Sequence, residues 1–353
     1  MKKYLLVLIT VLSFICMNSQ VLYNETFDNL TVGNLGTDPT GVTPGQGGWL
    51  TESEFAKHNS VFTIVNETNR GKVLDLTTPY SKDTEHYFLI KPHLNTLIDN
   101  RTAGNDVIKI EIDYFTGNKL AGLDARSNIR LLLKDMSLYQ PQDEFILIQF
   151  GKQAGFLGAF TDRGNPYNSQ RFAHYPVFPF NTWVTLIMYL DYTNNKIYMH
   201  IPQFNKVSSS GLVTNPTSVN LMQDYKLNSL VFQVFVAGNG NNNTYSSQRY
   251  DNIKITALNE VPPVVVTLNT SEQLAAKFNI YPNPATNVVN ITNSENMLVN
   301  KVTVYDISGK ELNTQSFNNE TQIQLNVENL ANGTYMLHLQ TNVGTAVKKL
   351  VKK

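Results

Sequence analysis

The chain has 353 residues, of which 42% are hydrophobic and 16% are charged, and its 28 Lys and Arg residues equal its 28 Asp and Glu residues in number. This balance, without a basic patch, argues against a nucleic-acid-binding protein. Cys16 is the only cysteine, which excludes disulfides within the chain and metal sites built from several thiolates.

The first twenty residues have the pattern of a secretory signal peptide. Lys2 and Lys3 form a basic start, residues 4–16 are apolar, and residues 17–20 offer a small, polar cleavage region. The apolar run is too short to span a bilayer and remain there, and no comparable run follows it. We therefore predict cleavage near Gln20, a mature protein without cysteine and no stable transmembrane segment.

Residues 21–258 predict one antiparallel β-sandwich. In residues 107–115 apolar side chains alternate with charged ones, as in a strand with one buried face. Residues 181–192 are apolar on both faces and predict a central strand, and a turn at 193–196 predicts a hairpin with the next strand. About twelve strand candidates fit two packed sheets. Trp49, which follows two glycines, is predicted to fill the core; the alternative is that it forms a platform for a ligand.

Three stretches of this part are similar to the concanavalin A-like jelly-roll superfamily: NETFDNL at 24–30, NTWVTLIMYLDYTNNKIYMHI at 181–201 and QRYDNIKI at 248–255. The resemblance implies that the first and last strands lie side by side and close the sandwich. The superfamily includes lectins, carbohydrate-binding modules, adhesion domains and glycan-cleaving enzymes. The resemblance alone therefore does not select a function.

A pair of carboxylates, Glu111 and Asp113, shares one face of a predicted strand. Retaining glucanases of this superfamily carry a Glu-x-Asp-x-(x)-Glu pattern, in which one carboxylate is the nucleophile and another the acid. Phe115 and Thr116 stand where the second glutamate belongs. We therefore predict an ordinary polar sheet face in preference to a catalytic pair.

The charge of that face has candidate partners in Lys109 and Arg130. An acid supplied from elsewhere by Asp143 or Glu144 stays open, although nothing in the sequence places either residue beside the pair. No catalytic residue is assigned.

Aromatic residues are dense between Phe156 and Trp183. Sugars stack their C–H faces on aromatic rings, while Arg and Asn side chains bond to the hydroxyl groups. The alternative is that the aromatic rings pin a long loop to the sandwich. The candidate ligand-binding residues, including two beside a second Gly- and Asn-rich loop, are Arg163, Tyr167, Arg171, His174, Tyr175, Tyr245 and Arg249.

One structural calcium ion is a candidate cofactor. Glu25, Asp28 and Asp251 would bring oxygen ligands together where the first and last strands pair. The alternative is that these carboxylates cap turns and strand ends. The six histidines show no metal-ligand spacing.

A second, smaller β unit follows a linker. Pro262 and Pro263 stiffen the start of residues 259–277, and polar residues loosen the rest, so we predict a linker there. Short alternating strands with turn signals then predict one compact sandwich over residues 278–353.

The motifs of this second unit, in order, are YPNPATNVVNI at 281–291, VTVYDISGKEL at 302–312 and LNVENLANGTYMLHLQ at 325–340. They resemble the type A sorting domain of the type IX secretion system. We expect the glycines to adopt positive φ in their turns and the tyrosine before MLHL to point inward. The motif residues are Tyr281, Pro282, Asn283, Pro284, Gly309, Gly333 and Tyr335.

The sorting-domain resemblance implies a route. The chain is exported to the periplasm by its leader and passed through the outer membrane by the type IX machinery. The terminal domain is usually removed in that family, and the protein is released or attached to the outer surface.

Together these patterns predict an all-β protein, a jelly-roll β-sandwich followed by a small C-terminal Ig-like β-sandwich. The first sandwich is expected to bind a glycan or another surface polymer. Two alternatives stay open: a glycan-degrading hydrolase or lyase with unrecognised catalytic residues, and a non-catalytic adhesin that contacts proteins.

Overall fold

The structure is a computed structural model, and it describes most of the chain from residue 19 onward. The described ranges are 19–53, 59–79, 85–117, 125–133, 144–151, 156–163, 170–175, 179–212, 220–236, 247–293 and 295–353. Within these ranges, side chains are described except at 125–127, 144–151, 156–163, 170–175, 235–236, 247 and 269–272. No helix in the described part combines the length and the apolar composition needed to cross a membrane.

Within the described residues, the first sandwich has sixteen strands and two short α-helices. Its elements are β1 Ser19–Glu25, β2 Gly33–Asn34, β3 Leu50–Ser53, β4 Phe62–Glu67, β5 Gly71–Thr77, β6 Glu85–Lys91, α1 Leu94–Asp99, β7 Val107–Phe115, β8 Ala125–Leu132, β9 Glu144–Gly151, β10 Phe156–Arg163, β11 Gln170–Tyr175, β12 Trp183–Asp191, β13 Lys196–Ile201, β14 Lys206–Gly211, α2 Leu221–Asp224, β15 Ser229–Val236 and β16 Ser247–Leu258.

Two antiparallel sheets form this sandwich. The nine-stranded sheet, here the large sheet, has the order β14-β13-β12-β7-β16-β5-β4-β2, with β1 also paired to β16. The seven-stranded sheet, here the small sheet, has the order β11-β10-β9-β8-β15-β6-β3. The first and last strands do lie side by side, from Ser19 opposite Leu258 to Glu25 opposite Ile253. The all-β prediction and the pairing expected from the jelly-roll resemblance are confirmed.

Strand β7 shows how the sequence selects its faces. Ile108, Ile110 and Ile112 are buried between the sheets, while Lys109 and Glu111 lie half-buried on the outside of the large sheet. The period-two prediction is therefore confirmed. The central position predicted for the strand at 181–192 is also confirmed, because β12 lies between β7 and β13.

Aromatic rings fill the space between the sheets. Trp49 is 0% exposed and packs with its ring centroid 6.0 Å from that of Phe232, which in turn lies 4.4 Å from Tyr250. Tilted contacts of this kind add to the free energy gained by burying each ring. Trp49 thus fills the core, as predicted.

The second sandwich and the helix before it make up the rest of the chain. These elements are α3 Pro263–Ala276, β17 Phe278–Tyr281, β18 Val288–Asn293, β19 Val299–Asp306, β20 Glu311–Glu320, β21 Gln322–Asn326, β22 Gly333–Thr341 and β23 Gly344–Lys352. Its sheets have the orders β17-β18-β21 and β20-β19-β22-β23. Helix α3 occupies most of the segment expected as a linker, and the sequence analysis did not predict it.

The sorting-motif residues have structural roles at the turns and in the core of this sandwich. Tyr335 points inward as predicted, and its hydroxyl donates to the carbonyl oxygen of Ala331 at 2.6 Å. Asn283 ties the entry turn to the final strand, donating to the carbonyl of Lys349 at 3.0 Å and accepting from the N–H of Val351 at 2.8 Å. Tyr281, directly before the first motif proline, is exposed.

The two motif glycines differ. Gly309 has a φ of 85°, as its turn was predicted to require. The same prediction for Gly333 is wrong, because Gly333 is not in the left-handed region and already pairs with Lys352 as the first residue of β22. The turn that precedes β22 ends before this glycine.

Candidate functional site

Polar and aromatic side chains gather on the outward face of the large sheet. The register of β12, β7 and β16 places Thr185, Asp113 and Asp251 in one cross-strand row. The row beside it contains Trp183, Phe115 and Arg249, followed by Asp75 on β5. Directly opposed side chains lie close enough to interact. We call Arg70, Asp113, Trp183, Arg249 and Asp251 the outer-face cluster.

Arg70 is the centre of this cluster, although it lies outside both rows, in the turn after β4. Its Nε donates to the Asp251 carboxylate at 2.6 Å, and its terminal nitrogen donates to Asp113. The centre of its guanidinium is 3.8 Å from the centroid of the Trp183 ring. A planar cation is suited to this combination of a ring face and two carboxylates.

Every oxygen of Asp113 has a donor. Thr185 donates its hydroxyl to Oδ1 at 2.7 Å, and Asn252 donates its amide to Oδ2 at 2.9 Å, in addition to the bond from Arg70. These three bonds occupy both carboxylate oxygens, so neither oxygen is free to act as a nucleophile. The arrangement therefore fixes a side chain in place.

Asp251 is the most buried charge of the cluster, with 3% of its side chain exposed. Burial raises the pKa of this carboxyl, and the bonds from Arg70 and from the N–H of Asn252 act in the opposite direction. The negative charge of Asp113 adds to the effect of burial. Arg70 is thus what allows two carboxylates to face each other across β7 and β16.

Arg249 extends the cluster toward β4 and β5. Its Nε donates to Asp75 at 3.0 Å, and a second nitrogen donates to Glu67. Thr77 donates to the other oxygen of Asp75 at 2.7 Å. This surface therefore sets two arginines against four carboxylates, so each cation is fully paired and the formal balance is negative by two charges.

Two aromatic rings lie beside these ion pairs. Trp183 and Phe115 are half-buried, with ring centroids 5.3 Å apart and planes inclined by 42°. Arg70 covers one face of the indole. The combination of ring edges with charged hydrogen-bonding groups can contact a ligand that carries both C–H surface and hydroxyl groups.

The carboxylates Glu111 and Asp113 have the ionic and hydrogen-bond partners of an ordinary polar sheet face. Glu111 is paired with Lys109 at 2.7 Å, as predicted for that lysine. The prediction that Arg130 is a second partner of this face is wrong, because Arg130 is in β8 of the small sheet. Glu144, in β9, also belongs to the small sheet, and Asp143 lies outside the described residues.

Thr116, at a position where the glucanase pattern has its second glutamate, has a structural role. Its hydroxyl donates to the carbonyl of Pro179 at 2.8 Å and accepts from the N–H of Thr182 at 2.9 Å. These bonds join the end of β7 to the segment that leads into β12. Because this position is a threonine, it supplies no carboxylic acid beside Asp113.

The ligand-binding residues predicted from the sequence are divided between the two sheets. Arg163 is in β10 and Arg171, His174 and Tyr175 are in β11, which together form an edge hairpin of the small sheet. Arg249 is on the large sheet, in the outer-face cluster. Tyr167 and Tyr245 lie outside the described residues.

The three predicted calcium ligands each have another partner. Glu25 accepts from the N–H of Phe27 at 2.8 Å, Asp28 accepts from the N–H of Lys72 at 2.9 Å, and Asp251 accepts from Arg70. Among the described residues, no group of three or more His, Cys, Asp or Glu side chains is placed to hold a metal ion. The trio is therefore not brought together.

Sequence reasoning found Arg249 but missed Arg70 and gave Trp183 no role. Arg70 is separated by 43 residues from Asp113 and by 181 from Asp251. The available signal was the unusual row of carboxylates at Asp113 and Asp251, since two facing carboxylates require a cation.

Comparison with known proteins identifies the second sandwich. Residues 279–353 match the family of secretion system C-terminal sorting domains. The predicted sorting domain of the type IX system is therefore confirmed, and with it export to the outside of the cell or to its surface. No curated protein matches the chain.

Several solved structures are similar to the chain at low identity. A carbohydrate esterase, vb_24B_21, from the Shiga toxin-encoding bacteriophage phi24B is 13% identical, with a TM-score of 0.40 over 68% of this chain and 99% of that one. The Bacillus licheniformis β-glucanase is 12% identical, with a TM-score of 0.39 over 66% and 96%. The carbohydrate recognition domain of Emp46p in its potassium-bound form is 11% identical, with a TM-score of 0.39 over 65% and 99%. We draw nothing about activity from these likenesses.

Proposed function

We propose that the first sandwich binds a glycan or another polyhydroxylated surface polymer through the outer-face cluster, and that the sorting domain delivers it to the cell exterior. The observation that carries the proposal is the contact of Arg70 with Trp183 beside two neutralised carboxylates. This contact fixes an aromatic ring and several hydrogen-bonding groups on one exposed sheet face. A preorganised surface of this kind binds without paying to order its side chains.

The chemistry of the cluster suits neutral, hydroxylated ligands. Its two arginines are each paired with two carboxylates, so the surface has no free positive charge to attract an anionic ligand. The half-buried rings of Trp183 and Phe115 offer apolar contact. The exposed Asn252 can donate to and accept from hydroxyl groups at the rim.

We favour binding over cleavage because Glu111 and Asp113 are already engaged by other side chains. Retaining glycosidases need a nucleophile and an acid about 5 Å apart. Asp113 accepts bonds from three side chains, and Glu111 is paired with Lys109. The alternative function, a glycan hydrolase or lyase, would require catalytic groups outside this pair.

The edge hairpin β10–β11 is the second proposed contact region. It would add the residues expected from the sequence, and together with the loop before β16 these are Arg163, Tyr167, Arg171, His174, Tyr175 and Tyr245. We also propose that residues 1–20 are a signal peptide, that residues 21–258 form the binding domain and that residues 259–277 connect it to the sorting domain. A structural calcium bound by Glu25, Asp28 and Asp251 would require these side chains to exchange their present partners.

The test uses the chain without its leader, incubated with a panel of insoluble and soluble polysaccharides. Retention and newly formed reducing or unsaturated ends are both recorded. We expect retention without new ends, and a loss of affinity of about tenfold or more in Trp183→Ala. The matched control is Tyr281→Ala, which removes a 52%-exposed aromatic ring from the other sandwich.

Each other outcome has a definite meaning. New ends would replace the binding proposal with the hydrolase or lyase. Retention that Trp183→Ala leaves unchanged would move the contact to β10–β11. Neither retention nor new ends on a broad panel would favour the adhesin.

A further inference from the structure

The outward face of the large sheet is apolar at its other end. Strand β12 carries Ile187 and Tyr189 on the same face as Trp183 and Thr185, and Tyr198 of β13 lies directly opposite Tyr189. Val207 of β14 continues the surface. All four side chains are buried, although they lie outside the sandwich core. Another segment of the chain, outside the small sheet, must therefore cover these side chains.

The cover is the segment after β16. Val261 and Val265 belong to the same apolar cluster as Tyr189 and Tyr198, and Leu268 packs against it. Val265 and Leu268 lie on one side of α3, because residues three apart share a helix face, and Val261 lies just before the helix begins. Val265 is 1% exposed, whereas its neighbour Val264 is 60% exposed. The helix therefore faces the sheet with a defined side.

The far end of the same helix contacts the second sandwich. Leu274 belongs to the core of that sandwich, and Lys348 of β23 donates to the carbonyl oxygen of Ala275 at 3.0 Å. Helix α3 therefore has two halves with different attachments. Gln273 still donates to the hydroxyl of Ser209 in β14 at 3.1 Å, so the apolar contact with the first sandwich ends at Leu268 and a polar one continues up to Leu274.

We infer that residues 259–268 are a strap that belongs to the first sandwich and seals its apolar outer face. The binding domain then extends to Leu268 instead of ending at Leu258. If the sorting domain is removed by cleavage, the cut must lie after Leu268 for the first sandwich to stay soluble. A chain that lost the strap would expose Ile187, Tyr189, Tyr198 and Val207 together, and a second copy of the chain would cover them through the same face.

The strap is held by its apolar side chains. A cavity of about 600 Å³ lies where the start of the strap, at Asn259 and Glu260, meets the β12–β13 hairpin at Asp191 and Lys196. The start of the strap is therefore not packed closely against the hairpin. Val265 is the residue whose change should release the strap.

The test compares Val265→Asp with Val264→Asp in the chain without its leader. The two substitutions put the same charge on the same helix, one turned toward the sheet and one toward solvent. In Val265→Asp we expect amide exchange in residues 261–268 to accelerate at least about tenfold, and sedimentation to show concentration-dependent dimers. In Val264→Asp we expect exchange within about twofold of the parent and a monomer.

Exchange across β1–β16 and β17–β23 reports whether each sandwich remains folded. Should Val265→Asp unfold the first sandwich, the milder Val265→Ala is measured in its place, with the same expected direction. Equal behaviour of the Val264 and Val265 variants would overturn the inference. So would exchange of residues 261–268 in the unaltered chain at the rate of an unprotected helix.

Discussion

The guanidinium of Arg70 lies 3.8 Å from the centre of the Trp183 ring, and this contact ties a turn to a central strand of the large sheet. The same arginine bonds two carboxylates that face each other on β7 and β16. One side chain therefore neutralises a pair of like charges and orients an aromatic ring. The stability of the sheet and the shape of the proposed binding surface depend on the same residue.

Replacing Arg70 by Met should lower the free energy of unfolding of the first sandwich by about 2–3 kcal/mol. The change leaves Asp113 and Asp251 facing each other without a cation. The expected loss of unfolding free energy is smaller than for a fully buried ion pair, because Arg70 and Asp113 are partly exposed. Urea unfolding measures the loss. Arg70→Met with Asp251→Asn should recover about half of it.

The control for this experiment is Lys226→Met, which breaks a pair with the largely exposed Asp99 and should cost less than about 1 kcal/mol. An equal loss in both single variants would show that Arg70 contributes no more than a surface ion pair.

Acidification should destabilise the first sandwich through His200. Burial lowers the pKa of this imidazole from its ordinary value of 6.5, and the positive charge of Lys109 acts in the same direction. The folded state therefore binds fewer protons than the unfolded state, and stability is lost as the pH falls from 6.5 through the lowered pKa. His200→Gln should flatten this part of the curve of unfolding free energy against pH. An unchanged slope in the variant would assign the dependence to other groups.

Removing the hydroxyl of Tyr335 should destabilise the sorting domain by about 1 kcal/mol, since the partly buried hydrogen bond from Tyr335 to the carbonyl of Ala331 is lost. Thermal unfolding of Tyr335→Phe measures the loss. Tyr305→Phe is the matched control, because Tyr305 stacks on His338 in the same sheet through its ring, which the substitution keeps. A loss of the same size in the control would mean that the Tyr335 hydroxyl has no special role.

The mature chain should retain Gln20, which would place the end of the signal peptide at residue 19, one residue before the boundary expected from the sequence. The side chain of Gln20 donates to the carbonyl of Asn100 at 3.0 Å and accepts from the N–H of Thr102 at 2.6 Å, which anchors the start of β1 to the end of α1. Cleavage before Gln20 preserves both bonds, and Gln20→Ala should cost about 1 kcal/mol. Amino-terminal sequencing of the exported protein, with unfolding of the variant, tests both statements. A mature chain that begins at Val21 would contradict the first.

Gly71→Ala should destabilise the first sandwich more than Gly104→Ala. Both glycines have positive φ, at 96° and 88°, so both substitutions carry the same backbone strain of about 1 kcal/mol. At Gly71 an added Cβ would also lie 2.4 Å from the Asp28 carboxylate, whereas the space at Gly104 is open. We expect an additional loss of about 1–2 kcal/mol at Gly71, measured by urea unfolding.

The Gly71 variant also bears on the calcium question. The carboxylate of Asp28 accepts a hydrogen bond from the N–H of Lys72. If this carboxylate only caps the strand, Gly71→Ala should lower the free energy of unfolding by the same amount with and without added calcium. Recovery of stability on adding calcium would instead support a metal site there.

The sequence was sufficient where a pattern is local. The alternation in β7 predicted which isoleucines are buried, and Trp49 fills the core as expected of an isolated tryptophan. The order of motifs from Tyr281 to Tyr335 predicted the sorting domain, because its turns and strands are specified within short stretches.

The sequence was insufficient where a contact joins distant segments. Arg70 sits in an ordinary turn, and nothing near it indicates that its partners are Asp113 and Asp251. Helix α3 was missed because two prolines suggested an extended linker, although Pro263 occupies a position that helices favour at their start. The three-residue spacing of Val265 and Leu268 was the signal that could have revealed it.

The pairing of β1 with β16 has a kinetic consequence. Strand β16 also pairs with β5 and β7, so one late segment completes three separate pairings made by strands that precede it by more than a hundred residues. Until that segment is available, those earlier strands have no partner on one side. Contacts between such distant parts of a chain form slowly. We therefore expect the first sandwich to remain open, and accessible to chaperones and export factors, until nearly all of it has been made.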